Sequence, residues 1–226
     1  MTIHLRPTAP IAPDALLPGD PGRAMALAQE LLVAPRMSNH HRGLWGYYGE
    51  TERGDPLTIQ ATGIGGPSAA IVLAELAELG VMRAIRVGTC SAHSAELAIG
   101  SLVVADAAVA ADGTSRELGA GTVVRAAPGL TDALAAAAPA AHRTQVVTVD
   151  LFYLDRARLD AGIAAFEMEA APLFALGPML GVDVACVLAV AAGRNGRPRI
   201  SDAELAGAEL EMGRAAARAL GGTRPG

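Results

Sequence analysis

The sequence predicts a single α/β domain with a central mixed β-sheet flanked by helices. Short apolar runs rich in β-forming residues alternate with Ala- and Leu-rich stretches of helical periodicity along all 226 residues. Gly- and Pro-containing turns separate the runs, and no internal repeat or linker divides the chain. Alternating strands and helices are typical of a mostly parallel or mixed sheet, and this length is sufficient for one large core.

The first half of the chain opens with a strand that ends at residue 17, just before the turn PGDPGR. A helix is predicted over 22–32, and two strands over 44–50 and 57–62. The turn GIGGPS follows, and its Pro67 suits the first turn of a helix that ends at Gly80.

The second half continues the alternation, beginning with a buried strand at 84–88. The remaining predicted strands are 102–110, 145–149, 164–168 and 184–190. An Ala-rich stretch predicts a helix over 133–141, and further helices are expected over 170–180, closed by Gly181, and over 202–220. The last residues, 221–226, are expected to be frayed.

The basic side chains are all arginine: the sequence has 18 of them and no lysine. This excludes a Schiff-base lysine and the lysine of phosphate-binding P-loops. Any bound anion must therefore be held by arginine, backbone N–H groups, hydroxyls or histidine. A net charge of -5 and an aromatic content of 3% argue against nucleic-acid binding.

Cysteine usage and hydropathy predict a cytoplasmic protein that does not enter membranes. Cys90 and Cys186 lie in separate apolar runs, which is typical of free, buried thiols in a reducing compartment. The N-terminal residues lack the apolar core of a signal peptide. The longest apolar stretch, 182–192, is too short to span a bilayer and contains Asp183. Histidine and cysteine spacing predicts no metal site.

Two strand ends carry candidate anion-binding arginines. PGDPGR joins a strand to a helix, so backbone N–H groups and Arg23 can meet one anion; an ordinary turn with a surface arginine is the alternative. Arg86 ends a buried strand with Thr89 close behind it. A buried charge there must be bound or paired, so two interpretations of Arg86 remain open: it binds a ligand, or it forms a structural ion pair.

Two further motifs have a structural and a functional interpretation. GIGGPS resembles a dinucleotide-binding turn but lacks the final Gly or Ala and a following acidic residue, so close helix–sheet packing explains it better. In FEME, Glu167 and Glu169 open a helix. Paired carboxylates can grip the hydroxyls of a sugar, or they can favour the helix N-terminus.

Seven stretches, taken together and in order, resemble the nucleoside phosphorylase superfamily that includes hexameric purine nucleoside phosphorylases and uridine phosphorylases. They are PGDPGRA (18–24), RGLWGYYG (42–49), TGIGGPSAAIVLAELAELG (62–80), IRVGTC (85–90), DGTS (112–115), VDLFY (149–153) and FEMEAAPLFAL (166–176). The resemblance implies the nucleoside phosphorylase-like fold and phosphate-dependent cleavage of a nucleoside to a free base and (deoxy)ribose 1-phosphate. It also implies phosphate as co-substrate without a further cofactor, and a trimer of dimers whose dimer units share sites.

The resemblance assigns roles to individual residues. It implies that Arg42 and His4 act in the site of the neighbouring subunit. The implied phosphate-binding residues are Gly19, Arg23, Arg42, Arg86 and Thr89. The implied ribose-binding residues are His4, Met168 and Glu169, with Glu167 alongside. Phe152 is expected to pack on the base.

The base end departs from the family pattern. Purine-type members have a Ser-Asp pair where this chain has Ala191 and Ala192, and their arginine partner is replaced by Leu205. Arg194 falls where uridine-type members carry a base-binding arginine, so it is a base-binding and catalytic candidate, unless it is one of three solvated loop charges with Arg197 and Arg199.

Two further features bear on the base end. Phe152 and Glu167 are only 15 positions apart, so the chain lacks the uridine-type insertion between them. Ser201 and Glu204 form a helix-capping pattern, which makes Asp202 a less natural substitute acid. A uridine-type substrate is slightly favoured over a purine one. The alternatives are a nucleosidase and a nucleoside- or phosphate-binding protein without turnover.

Overall fold

The computed structural model describes residues 2–153, 164–193 and 198–222. Within these ranges the strands are β1 (Asp14–Leu17), β2 (Val33–Asn39), β3 (Gly46–Glu50), β4 (Pro56–Gln60), β5 (Arg83–Ala92), β6 (Leu102–Ala110), β7 (Val123–Arg125), β8 (His142–Thr148), β9 (Ala165–Glu167) and β10 (Asp183–Ala192). The helices are α1 (Pro21–Leu31), α2 (Gly66–Glu78), α3 (Gly113–Glu117), α4 (Pro128–Ala137), α5 (Ala170–Leu180) and α6 (Asp202–Gly222).

The strands form one mixed sheet that is partly closed on itself. β5, β10, β6, β8 and β9 pair successively and return to β5, which makes a ring. β1, β4, β3 and β2 extend the sheet outward from β5. The pairings of β5 with β1 and β10 are parallel, whereas β9 pairs with β5 antiparallel. The observed sheet is therefore mixed.

Strand β5 changes neighbours halfway along its length. On one side it pairs continuously with β10. On the other side, residues 83–86 pair with β1, and residues 91–92 pair with β9. In the pairings of the described strands, residues 87–90 therefore have a partner on one side only. The sheet forks at this point.

The core lies on both faces of the sheet, as expected of strands with continuous apolar runs. Leu17 and Leu188 face the side covered by α2 and α5. Leu16 and Val187, their chain neighbours, face the side covered by α1, α4 and α6. The period of two along each strand sends successive side chains to opposite faces. Helices on both faces hold the fork of β5 in a fixed position.

The predicted elements agree with the structure in kind, and several boundaries need correction. The helix expected over 133–141 begins earlier, as α4, because Pro128 suits a first helical turn and Pro139 follows its last residues. Strand β5 runs past residue 88 because it gains β9 as a second partner. Strands β2 and β7 and helix α3 were not expected, and α6 continues to Gly222, into the stretch expected to be frayed. The GIGGPS turn packs tightly against helices rather than the sheet: a Cβ at Gly66 would lie 2.7 Å from Thr114 Oγ1 and 3.1 Å from Pro172 Cγ.

The two cysteines are free and buried, which confirms the expectation from the sequence. Among the helices of the described ranges, none combines the length and apolar character that crossing a membrane requires.

Candidate functional site

A cavity of about 550 Å³ lies at the fork of β5. The β1–α1 turn contributes Gly19 and Arg23, and β5 contributes Arg86 and Thr89. These four residues were predicted from separate motifs, and the fold brings them together on one cavity wall. The carboxyl ends of neighbouring parallel strands meet at this edge of the sheet, where α/β proteins commonly bind ligands.

The N-terminus of α1 points into the cationic end of the cavity. Asp20 caps the helix by accepting from the Arg23 N–H at 2.7 Å, and Pro21 occupies the first turn. The Arg23 guanidinium is held on two sides: Nη2 lies 2.7 Å from Glu209 Oε1, and Nη1 donates to the Val87 carbonyl at 3.4 Å. Val87 offers that carbonyl on the unpaired side of β5. The fork thus orients Arg23.

Arg86 is buried, with 3% of its surface exposed, and is paired with two carboxylates. Its Nε donates to Glu167 Oε2 at 2.9 Å, and its Nη2 lies 2.5 Å from Glu169 Oε2. Burial lowers the pKa of the Arg86 guanidinium, but the charges of Glu169 and Glu167 outweigh burial and raise it overall. The structural ion pair considered for Arg86 is present. A guanidinium has five N–H donors, so this pairing orients Arg86 without exhausting it.

Glu167 supports Arg86 from below the cavity floor. Its side chain has no accessible surface. The carboxylate accepts from the backbone N–H groups of Glu169 at 2.8 Å and of Ala170 at 2.9 and 3.0 Å, and from the Thr148 hydroxyl. Glu167 therefore anchors both Arg86 and the N-terminus of α5. Glu167 thus supports the site from the cavity lining, and the ribose-side role expected of it stays a prediction.

Glu169 and Met168 reach the middle of the cavity. Glu169 bridges two elements, because Oε1 accepts from the Gly65 N–H at 2.5 Å while Oε2 meets Arg86. Each carboxylate oxygen has two acceptor positions, so Glu169 retains capacity for a ligand hydroxyl. Met168 lines the same region.

Gly88 allows the Arg86 side chain to lie flat on the strand. Arg86 and Gly88 are two residues apart on β5 and therefore share a face. A Cβ at Gly88 would lie 2.7 Å from Arg86 Cζ. Glycine at this position is thus a structural requirement of the Arg86 cluster, which the motif analysis did not identify.

The end of the cavity next to Ala192 is lined mainly by apolar side chains, with Arg199 and Asp202 beside them. Phe152, Phe166, Ala191 and Ala192 line it. Burial raises the pKa of the Cys90 thiol, which also lines the cavity, to about 12, so this cysteine is a neutral wall group at neutral pH. The wall suits a flat, uncharged ring.

His4 and Arg42 lie together outside this cavity. The His4 carbonyl accepts a hydrogen bond from His41 Nδ1 at 3.0 Å, and Arg42 follows in an exposed turn with φ of 59°. Glu75 anchors His4: its carboxylate accepts from the backbone N–H groups of residues 3–5 at 2.6–3.0 Å and lies 2.8 Å from His4 Nδ1. Backbone hydrogen bonds and His4 offset burial and lower the pKa of Glu75 to about 2.

Arg194, the predicted base-binding arginine, lies outside the described residues. Arg199 lines the cavity, which the sequence considered only as a solvated loop charge. Ser201 and Glu204 form the predicted capping box: the Ser201 hydroxyl accepts from the Glu204 N–H at 3.3 Å, and Glu204 Oε2 accepts from the Ser201 N–H at 3.2 Å. Asp202 nevertheless lines the cavity as the first residue of α6.

The fold and cavity define an α/β protein with a ligand site that is cationic at one end and apolar at the other. Comparison with known proteins narrows this class. The phosphorylase superfamily matches residues 13–221. A uridine phosphorylase of Thermococcus kodakarensis is 33% identical over 81% of this chain and 74% of its own. A DeoD-type purine nucleoside phosphorylase of Roseobacter denitrificans is 37% identical over 78% of this chain and 80% of its own.

A third relative is named for a different substrate. A guanosine phosphorylase of Halorubrum lacusprofundi is 35% identical over 78% of this chain and 76% of its own. The chain belongs to the phosphorylase superfamily, and its similarity is to nucleoside phosphorylases. These relatives differ in the base named, so the family membership leaves the base of this protein's substrate undetermined.

Proposed function

We propose that this protein catalyses phosphorolysis of a nucleoside, which yields a free base and (deoxy)ribose 1-phosphate. One observation carries the proposal: Gly19, Arg23, Arg86 and Thr89, from two separate chain segments, converge on the cationic end of a single cavity. Arginines and a helix N-terminus suit phosphate without a lysine or a metal ion.

The order of groups along the cavity supports the reaction geometry. Phosphate at the cationic end would lie beside the hydroxyl-binding carboxylate of Glu169, and the base would lie against Phe152. Phosphate then attacks the anomeric carbon as the base departs, through a transition state with positive charge on the sugar. Positioning an anionic nucleophile against that charge supplies much of the acceleration. No covalent enzyme intermediate is required.

The proposal includes a second subunit. His4 contacts His41, the chain neighbour of Arg42, and neither His4 nor Arg42 lines the cavity of its own chain, which leaves both available to complete a neighbour's site. A two-fold dimer contributes the same pair to both sites. The cationic end would then gain Arg42, and the sugar end would gain His4. A trimer of such dimers is the assembly we propose.

A uridine-type nucleoside is slightly favoured over a purine nucleoside, because Ala192 replaces the acid of purine-type members. Hydrolysis is the weaker candidate, since a nucleosidase has no need of an arginine cluster for phosphate. The absence of turnover is the remaining alternative.

The test is base release from uridine, thymidine, inosine, adenosine and methylthioadenosine, each with and without phosphate. We expect release that requires phosphate, and loss of that release in Arg86→Ala. Arg143→Ala is the matched control, because Arg143 pairs with Asp106 and Asp132 on the surface. Equal release without phosphate would identify a hydrolase, and normal turnover in Arg86→Ala would refute the site assignment.

A further inference from the structure

A two-residue bridge brings Arg199 beside Ala192 at the apolar end of the cavity. Ala192, the last residue of β10, pairs antiparallel with Arg199. The Ile200 N–H donates to the Ala191 carbonyl at 2.9 Å, and the Gly193 N–H donates to the Pro198 carbonyl at 2.9 Å. These two backbone bonds fix the register of the pair.

The register places both side chains on one face of the hairpin. The two hydrogen bonds flank the pair rather than join it, so Ala192 and Arg199 form a non-hydrogen-bonded pair, in which the side chains of antiparallel strands are closest. Both residues line the cavity. The guanidinium of Arg199 can therefore reach the part of the cavity that the side chain of Ala192 faces.

The chemistry around the pair leaves room for a cationic role. Ala192 has only a methyl group, and Ile200 and Leu205 are apolar cavity neighbours. In the described part of the chain, Arg199 makes no ion pair with a carboxylate, in contrast to Arg23 and Arg86. Arg199 is exposed, so its guanidinium is free to meet a ligand.

We infer that Arg199 is a base-contacting residue that selects nucleosides whose base carries a carbonyl oxygen at C4 of a pyrimidine or C6 of a purine, as in uridine, inosine and guanosine, over adenosine and cytidine, which carry an amino group at that position. This inference rests on the proposed phosphorolysis. The guanidinium donates N–H groups to the carbonyl oxygen. In a 6-oxopurine it can also reach N7, the same bidentate geometry by which arginine reads guanine in DNA. An exocyclic amino group presents a donor instead and loses that contact.

The same contact stabilises the departing base. A bond forms between a phosphate oxygen and the anomeric carbon, the bond from that carbon to the base nitrogen breaks, and its electron pair leaves with the base. The negative charge spreads onto the carbonyl oxygen, against Arg199. Arginine stays protonated in proteins, so it stabilises this charge without giving up a proton. The base anion then takes its proton from water.

The test compares Arg199→Ala and Arg199→Gln with wild type on two matched pairs, inosine with adenosine and uridine with cytidine. We expect kcat/KM for inosine and uridine to fall about 10- to 100-fold in Arg199→Ala, with a much smaller change for the amino nucleosides. Arg53→Ala, an exposed arginine outside the cavity, is the control. An equal loss on all four substrates, or no loss, would overturn the inference, as would a selective loss in Arg194→Ala with Arg199→Ala unaffected.

Ala192→Asp tests the shared face independently. An aspartate at 192 would lie beside Arg199 and withdraw it into an ion pair, so turnover of uridine, which has no use for the purine-type acid at this position, should fall. Adding Arg199→Gln to Ala192→Asp should then cost less than it does alone, because both changes remove the same contact. Fully additive effects would show that the two side chains do not meet.

Binding of free bases separates this inference from the proposed function. If wild type releases no base from any nucleoside, phosphorolysis is wrong. Calorimetry with hypoxanthine, adenine, uracil and cytosine still decides the role of Arg199. Tighter binding of hypoxanthine and uracil that is lost in Arg199→Ala supports this role. Binding of hypoxanthine and uracil that equals binding of adenine and cytosine overturns it.

Discussion

Replacing Gly88 with alanine perturbs the Arg86 cluster without touching a charged group. The new Cβ would lie 2.7 Å from Arg86 Cζ and Nη2 and 2.9 Å from Nη1. Ordinary carbon contacts are about 3.5 Å, so the guanidinium must move by about 0.8 Å. The bond from Nε to Glu167 measures 2.9 Å. A shift of that size takes it beyond hydrogen-bonding distance.

The expected cost follows from these distances. Overpacking a filled core costs about 1–3 kcal/mol, and one lost hydrogen bond between charged groups costs about 1.5–3 kcal/mol. We therefore expect Gly88→Ala to lower the free energy of unfolding by about 3–5 kcal/mol, or Tm by about 10 °C for a chain of this size. In the proposed reaction, the KM for phosphate should rise about tenfold or more, because Arg86 no longer points at the cationic end.

Thermal unfolding and phosphate-dependent base release measure the two effects. Gly129→Ala is the matched control, because its Cβ meets nothing within 4 Å and its φ is not positive. That change should be neutral or slightly stabilising. A wild-type Tm together with a wild-type KM for phosphate in Gly88→Ala would refute the close packing of Arg86 on this glycine.

Three further predictions test other parts of the structure. Glu75→Gln should release the N-terminal residues 3–5 above pH 4.5, with amide exchange there faster by about tenfold or more. Because the pKa of Glu75 is lowered from 4.5 to about 2, the difference from wild type should fade as pH falls from 4.5 toward 2. An equally large difference at pH 2 would contradict this prediction. Ser201→Ala should cost about 1 kcal/mol of stability through the lost helix cap and leave turnover intact, as chemical denaturation and kinetics would show; a hundredfold loss of turnover would disprove a purely structural role. Mixing inactive Arg42→Ala and Arg86→Ala chains should restore about a quarter of wild-type activity if each site takes Arg42 from its neighbour, whereas no recovery after subunit exchange would place both residues in one chain's site.

Elements with strong local signals could be predicted from the sequence. Helix α5 was expected over 170–180, where it is found, because Gly181 closes it in the left-handed conformation at φ of 69°. The turn from β1 into α1 was also expected and is found, with Asp20 as the helix cap and Pro21 in the first turn. Strand β2 lacked such a signal. Most of its residues are exposed and it lies at the sheet edge, so no alternating apolar pattern marks it.

Long-range contacts limited what could be predicted about the site. The motif at Arg86 left a ligand and an ion pair open, and its partner Glu167 is 81 residues away. The support given by Glu75 to the N-terminal residues spans a similar distance, with separations of 70–72 residues. At the base end, spacing predicted Arg194, which lies outside the described residues and stays a prediction, whereas the register of the Ala192–Arg199 bridge brings a second arginine to the same place. Backbone pairing fixes that register, and no single-residue pattern reports it.

The two ends of the cavity differ in how far they depend on particular side chains. At residues 87–90 the strand edge offers main-chain groups, as the contact from Arg23 to the Val87 carbonyl illustrates. Main-chain groups are the same in every sequence, so the Val87 carbonyl can orient the Arg23 side chain whatever residue stands at position 87. The opposite end depends on single side chains at a strand terminus and hairpin, including Ala192 and Arg199. Substitutions at this end can therefore change which base fits while the residues for phosphate and sugar stay in place.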